Sequence, residues 1–292
     1  MSRRSRPRTS KLNRIVIPLS SFEEVVPVKT QGTSDFYKAI YRKTPFFLKN
    51  VIKNRPGKRT NEFGVWDIEL ATNELLASLL YLQVFRTPTI RLYIVYNDLR
   101  DATYPLYLIA SRIEEIDDCS VSSRLCKSLY SNKVPGTMEP FLVDCVMANW
   151  DVGWKGNTVV HKRTGKAVRL DVGGALLYRA LGGPRKFSKV PREHLTFFDP
   201  DNVSARLFST IRPDQIKEAF RFLRRADLTQ LDQLKAQILN EYKEYLSEKD
   251  LRKAKEVIRA ALPIVKARTK YYLTHSKEIQ DEMESEIEDD ED

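Results

Sequence analysis

Between Asn149 and Gly174 the chain reads NWDVGWKGN, TVVHKRTGKAVRL, DVGG, and no other stretch limits its fold as much. The middle part has hairpin form. TVVH and AVRLD are short runs rich in β-branched residues, joined by KRTGK, a turn sequence with a glycine. A tight hairpin returns its two ends to one place. Asn157, just before the first strand, and Asp171, just past the second, therefore face the same space. One carboxylate and one amide oxygen suit a hard divalent cation such as Mg²⁺, with phosphate oxygens and water completing its shell. Asp151, in the loop before the hairpin, supplies a second carboxylate to orient or deprotonate an attacking hydroxyl. Gly173 and Gly174 let the backbone turn sharply after Asp171.

The flanking sequence divides into a strand-rich half and a helix-rich half. IVIPL, VVPVKT, DFYKAIYRK and PFFLKNVI read as short strands, and TIRLYIVYN and YPLYLIASRI as two more. Between them, Asp67 to Gln83 reads as a helix with Asp67 as its N-cap, because Ile68, Thr72, Leu75, Leu79 and Leu82 recur at helical spacing. Residues 121–132 and 139–149 read as helices. From Pro213 onward three charged helices are expected, with Pro263 kinking or splitting the last. No internal repeat is visible.

The segment NWDVGWKGN with LDVGGALLYRALG resembles the catalytic and metal-binding loops of atypical kinases. These are the HipA-type toxin kinases and the type II phosphatidylinositol 4-kinases, in which an Asn-x-Asp loop precedes an Asn, a hairpin and an Asp-x-Gly metal loop. LDVGGALLYRALG is similar to uncharacterised phage and viral members of that superfamily. The resemblance is specific over 140–185, diffuse over 30–115 and absent from the helical end. Two departures stand out. Five residues separate Asp151 from Asn157 where the commoner loop has four, and Val152 stands where His or Arg often follows the aspartate.

The resemblance implies an α+β, two-lobed kinase-like fold. A basic arm (1–13), disordered by its composition, would precede the smaller lobe (14–115). The larger lobe with its helical extension (116–276) would precede a disordered acidic tail (277–292). It implies ATP and Mg²⁺ as cofactors and transfer of the γ-phosphate to a hydroxyl, with a protein Ser/Thr favoured over a lipid or small molecule. Asp151 would be catalytic, and Asn157 and Asp171 would hold the metal. Gly32, Thr33 and Ser34 would form a phosphate-covering turn, although one glycine stands where typical kinases have three. Lys49, in an apolar strand, would meet the α/β phosphates, with Lys53 as its rival; Glu74 would pair with it, with Glu69 as the alternative. Ala110 and Ser111 would offer backbone groups to an adenine edge in the linker between lobes. Arg179, Arg185 and Lys186 would hold a phosphate or an acidic substrate, or simply be solvated. The competing reading is a degenerate kinase-like module, including a viral structural protein, that engages nucleic acid or an acidic partner.

Charge and composition bound the rest. The chain of 292 residues carries 49 Lys plus Arg against 39 Asp plus Glu, a net charge of +10. Ten of the acids lie in 278–292, leaving the remainder at about +20, a field that attracts nucleic acid, anionic membrane or phosphorylated ligands. No apolar run is long enough to span a bilayer and no secretory signal is seen. Cys119, Cys126 and Cys145 form no CxxC pair, so a reducing compartment is expected: cytoplasm, nucleus or, for a packaged protein, a virion. Cys145 is expected to be a buried small hydrophobe. The scattered His161, His194 and His275 have no metal-ligand spacing, and Trp150 and Trp154 are expected to pack the loop around Asp151.

Overall fold

The computed structural model describes residues 14–28, 36–52, 59–99, 104–117, 119–120, 123–179, 181–199 and 201–289. The basic arm, the Gly32–Ser34 turn and Lys53 lie outside them.

The N-terminal half is a six-stranded sheet with one long helix laid on it. Strands β1 (Val16–Pro18), β2 (Glu23–Val28), β3 (Phe36–Tyr41) and β4 (Thr44–Asn50) are followed by helix α1 (Asp67–Leu79), then β5 (Leu92–Tyr96) and β6 (Tyr107–Arg112). Their order is β1-β5-β6-β4-β3-β2, antiparallel except for β1 beside β5. Side chains alternate across a strand, so the sheet has two faces. Phe46, Leu48, Tyr93, Val95, Leu108 and Ala110 fill a small core on one. Ile94 and Ile109 join α1 and the main core on the other.

Helix α1 begins at Asp67, and Trp66 rather than Asp67 is the capping residue. Glu69 reaches back to the Trp66 N–H at 2.8 Å, satisfying one of the donors a helix start leaves open. The helical path predicted to Gln83 continues as one π-type turn, Leu80–Val84. The strand predicted through Ile113 ends at Arg112, where α2 (Ile113–Asp117) begins.

The second half follows as β7 (Cys119–Ser120), α3 (Ser123–Tyr130), α4 (Phe141–Met147), β8 (Thr158–His161), β9 (Ala167–Arg169), α5 (Glu193–Thr196), α6 (Ala205–Phe208), α7 (Pro213–Leu223), α8 (Gln230–Tyr245), α9 (Glu248–Thr274) and α10 (Ser276–Asp289). β8 and β9 are the expected hairpin, with Thr158 opposite Arg169. The whole is thus a two-lobed α+β fold, a sheet lobe and a helical lobe.

Two expectations are corrected. Pro263 does not split the last long helix: α9 runs 27 residues with Pro263 inside it. The acidic tail is not disordered over its described length. It forms α10, whose Ile279 and Met283 are buried and whose Glu284 lies 3.7 Å from Lys217 on α7. Charge dominates that stretch, but Ile279, Met283 and Ile287 recur every four residues, which is enough for one apolar stripe.

α9 crosses both lobes, packing on α1 and on α4 and α7. At its start Asp250, 2% exposed, accepts from Tyr107 Oη at 2.9 Å and from the Arg59 guanidinium. Tyr242 Oη on α8 meets Thr72 Oγ1 on α1 at 3.2 Å. The C-terminal helices therefore brace α1 from behind.

Candidate functional site

Three charged side chains from three elements meet between the lobes. Lys49 Nζ on β4 lies 3.0 Å from Glu74 Oε1 on α1 and 3.3 Å from Asp171 Oδ2 beyond β9. The sheet explains the lysine. Lys49 is in register with Ile109, and Phe47 with Ser111, so all four project on the face toward α1. The helix explains the glutamate. Glu69 is held at the helix start and lies 3.6 Å from Lys253 of α9, whereas Glu74 faces the sheet.

The charges set one another. Burial works against the Lys49 ammonium, but Asp171 and Glu74 outweigh it and hold its pKa above the usual lysine range. Burial pushes Glu74 up, with Lys49 opposing and Asp171 adding to it. Burial also acts to raise Asp171, yet Lys49 and the Gly173 N–H, 3.1 Å from its Oδ1, bring it below the ordinary carboxylate value. Asp171 is thus an anion in a site that keeps a cation beside it. Its side chain is 44% exposed, against 22% for Lys49 and 11% for Glu74.

The hairpin delivers Asn157 to the same place. Leu170 N–H donates to Asn157 O at 2.7 Å, closing the hairpin ends as its sequence predicts. Asn157 Nδ2 donates to the Asp151 carbonyl at 2.9 Å, so Oδ1 is the amide atom left for a cation. The extra residue between Asp151 and Asn157 is absorbed by two turns, Trp154 N–H to Asp151 O and Asn157 N–H to Trp154 O, both 3.0 Å. Gly156 takes φ +98° there, a conformation side-chain-bearing residues avoid.

A cleft of about 390 Å³ opens on this cluster, lined by Lys49, Glu74, Ser111, Asn157 and Asp171. Phe36, Phe47, Ile90, Leu92, Ile109, Ile116 and Leu170 give it an apolar wall. A polar end with charges and an apolar slot beside it match a ligand with a phosphate tail and a flat ring. Lys155 also lines the cleft. Its position two residues before Asn157 is the sequence signal for this, although lysine in a polar loop reads as solvated.

Not every expected residue arrives. Ala110 and Ser111 are not in a linker between lobes: both lie inside β6, between β4 and β5, and the Ala110 side chain points into the opposite core. That side chain is one step out of phase with Ser111, which does face the cleft. Asp151 is not among the residues lining the cleft; it is joined to it through its carbonyl bond to Asn157. Arg185 is not a free substrate contact: its guanidinium donates to the carbonyls of Ala148 and Gly174. Burial lowers its pKa to about 10, and the nearby Asp151 opposes that shift. Arg179 and Lys186 are exposed. Trp150 packs edge-on against Phe197, but Trp154 is 50% exposed with Arg206 over its ring at 5.3 Å.

A buried network behind the cleft fixes both loops. Arg169, the last residue of β9, is paired with Asp144 of α4 at 2.6 Å, and both are 1% exposed or less. Tyr81 Oη donates to Asp144 at 2.8 Å and receives Asn149 Nδ2 at 3.1 Å. One carboxylate thus ties the strand entering Asp171 to the residue that starts the Asp151 loop. Cys145 is buried as expected. Among the described residues no group of three or more His, Cys, Asp or Glu could hold a metal, and none of their helices is long and apolar enough to cross a membrane.

No family model matches the chain, and no curated protein does. Among solved structures it is similar to one titled "Crystal structure of A Helicobacter pylori proinflammatory kinase CtkA", with a TM-score of 0.45 and 11% identity over 88% of this chain and 98% of that one.

Proposed function

We propose that the chain is an ATP- and Mg²⁺-dependent phosphotransferase that moves the γ-phosphate to a hydroxyl, with a protein Ser/Thr as acceptor. One observation carries this reading: Lys49 Nζ lies 3.0 Å from Glu74 and 3.3 Å from Asp171, at the charged end of a cleft that Asn157 also lines. A lysine held by a glutamate, beside an aspartate that stays ionised, is the arrangement a triphosphate and its cation require. Lys49 would neutralise the phosphates and Glu74 would keep it in place. The Asp171 carboxylate and Asn157 Oδ1 are hard oxygen donors that fit Mg²⁺, which prefers few protein ligands beside phosphate oxygens and water. The bound cation would supply charge neutralisation at the transferred phosphoryl group. Phe47, Leu92, Ile109 and Leu170 would enclose the base, and Asp151 would orient the acceptor hydroxyl.

The test is ATP-dependent transfer with radiolabelled γ-phosphate, comparing the parent with Asp171→Asn and Lys49→Met. Incorporation that disappears in both variants, while each still folds, is the expected result. Nucleotide binding that Lys49→Met abolishes, without label transfer to any acceptor, would instead identify a nucleotide-binding module that no longer turns over. No nucleotide binding at all would end the reading.

A further inference from the structure

The segment that follows Asp171 is strongly basic. From Val172 to Arg192 there are five bases, Arg179, Arg185, Lys186, Lys189 and Arg192, and no acid. Its described residues form neither helix nor strand, only a single bridge between Tyr178 and Pro184. Arg185 pins this segment to Ala148 and Gly174 beside the cleft. The other four bases are exposed.

Some bases elsewhere on the surface have acids beside them. Arg212 pairs with Asp214, Arg221 and Arg225 with Glu218, and Lys253 with Glu256. Among the described residues, Arg179, Lys186, Lys189 and Arg192 have no such pair. Of the described acids of α10, Glu282 reaches His194 and Glu284 reaches Lys217. The segment is also apolar in places. Leu181 is 62% exposed and Val190 54%, while Phe63, 51% exposed, lies over Gly183. Unpaired cations interleaved with aliphatic side chains suit an acidic polypeptide, whose carboxylates and apolar side chains both find partners. A nucleic acid would call for several stacking aromatics among the bases, whereas the exposed apolar side chains of the segment are Leu181 and Val190, with the single ring of Phe63 beside Gly183.

We infer that Arg179, Lys186, Lys189 and Arg192 form a docking surface for an acidic polypeptide, which is the acceptor class of the neighbouring site. The surface itself rests on these residues. Its role in choosing the acceptor rests on the phosphotransfer reading.

The experiment uses the full chain and fluorescein-labelled synthetic peptides built from Glu, Asp and Leu around one Ser. Controls are a matched peptide with Lys in place of the acids and a single-stranded oligothymidylate. Binding is followed by anisotropy at about 0.15 M salt, and phosphate incorporation is followed separately. The acidic peptide is expected to bind best, to weaken with added salt, and to lose about tenfold in affinity in the quadruple variant Arg179→Gln, Lys186→Gln, Lys189→Gln, Arg192→Gln. Restoring the bases at 189 and 192 should recover part of that loss. Equal binding of acidic and basic peptides, an unaltered quadruple variant, or tighter binding of the oligonucleotide would each overturn the proposal. Salt-sensitive binding of the acidic peptide without phosphate incorporation, in a chain that binds no ATP, would leave the docking surface standing and remove the kinase reading.

Discussion

Gly173 shows how tightly the charged cluster is built. A Cβ there would lie 2.9 Å from Glu74 Oε2 and 3.3 Å from Asp171 Oδ1. Alanine would have to displace the carboxylate that holds Lys49. Gly173→Ala is therefore expected to lower phosphotransfer about a hundredfold, the scale of a small misplacement of reacting groups, with little change in the unfolding midpoint. Both are read from one preparation, by rate assay and by urea titration. Asp144 presents the opposite balance, a residue that touches no substrate but carries a buried charge pair. Asp144→Asn leaves the Arg169 guanidinium in the interior without its counter-charge, a loss of about 3–5 kcal/mol measured by urea titration. Replacing both partners, with Asp144→Leu and Arg169→Met together, is expected to recover much of it. A double variant as unstable as the single one would show that the cost is not electrostatic.

At the scale of elements, the alternation of β4 and β6 decides which residues form the site. Phe47, Lys49, Ile109 and Ser111 share a face because strand side chains repeat every two residues. PFFLKNVI marks Lys49 as a charge set among apolar neighbours, and the strand period puts it on the cleft face with Phe47. Which face becomes the cleft is not legible in the sequence: of the neighbours Ala110 and Ser111, only Ser111 faces it. α10 teaches a related lesson. Ten acids in fifteen residues suggest a solvated tail, yet two buried apolar side chains per few turns suffice to dock a helix against α5 and α7. Met283→Ala is expected to destabilise the protein by about 2 kcal/mol, seen as a lower thermal midpoint and faster amide exchange in α10. No change in either would mean the helix is not held by that contact.

For the whole molecule, the brace of C-terminal helices behind α1 introduces a pH dependence. Asp67 is 1% exposed, 3.8 Å from Arg59, in the field of Asp250. Burial pushes its carboxyl up to about 7, with Arg59 opposing. An unfolded aspartate titrates near 3.9. The folded state thus binds the proton more tightly, and the stability contributed by protonated Asp67 is complete below about pH 4 and is lost as pH rises through 7. Asp171 has the reverse sign: its depressed value gives stability above the unfolded aspartate range that disappears in acid. Asp67→Asn should match the parent near pH 4 and exceed it in thermal midpoint at pH 8. Parallel midpoint curves across that range would contradict this.

The sequence alone determined the hairpin and its consequence, because a short β–turn–β unit is a local structure whose ends must meet; Asn157 and Asp171 were therefore assignable without any tertiary information. It also determined Lys49 and Glu74 as candidates, since each is a charge set in an otherwise apolar periodic segment, but it left Lys53 and Glu69 open. Only the tertiary structure decided between Glu74 and Glu69, by the rotation of α1 between the sheet and α9. It likewise decided that Arg185 is a fastener while Arg179 and Lys186 remain at the surface, that Lys155 enters the cleft, and that the acidic end folds back as a helix. Each of these depends on which surface a residue meets after the chain has closed on itself, and long-range packing of that kind has no fixed spacing along the sequence.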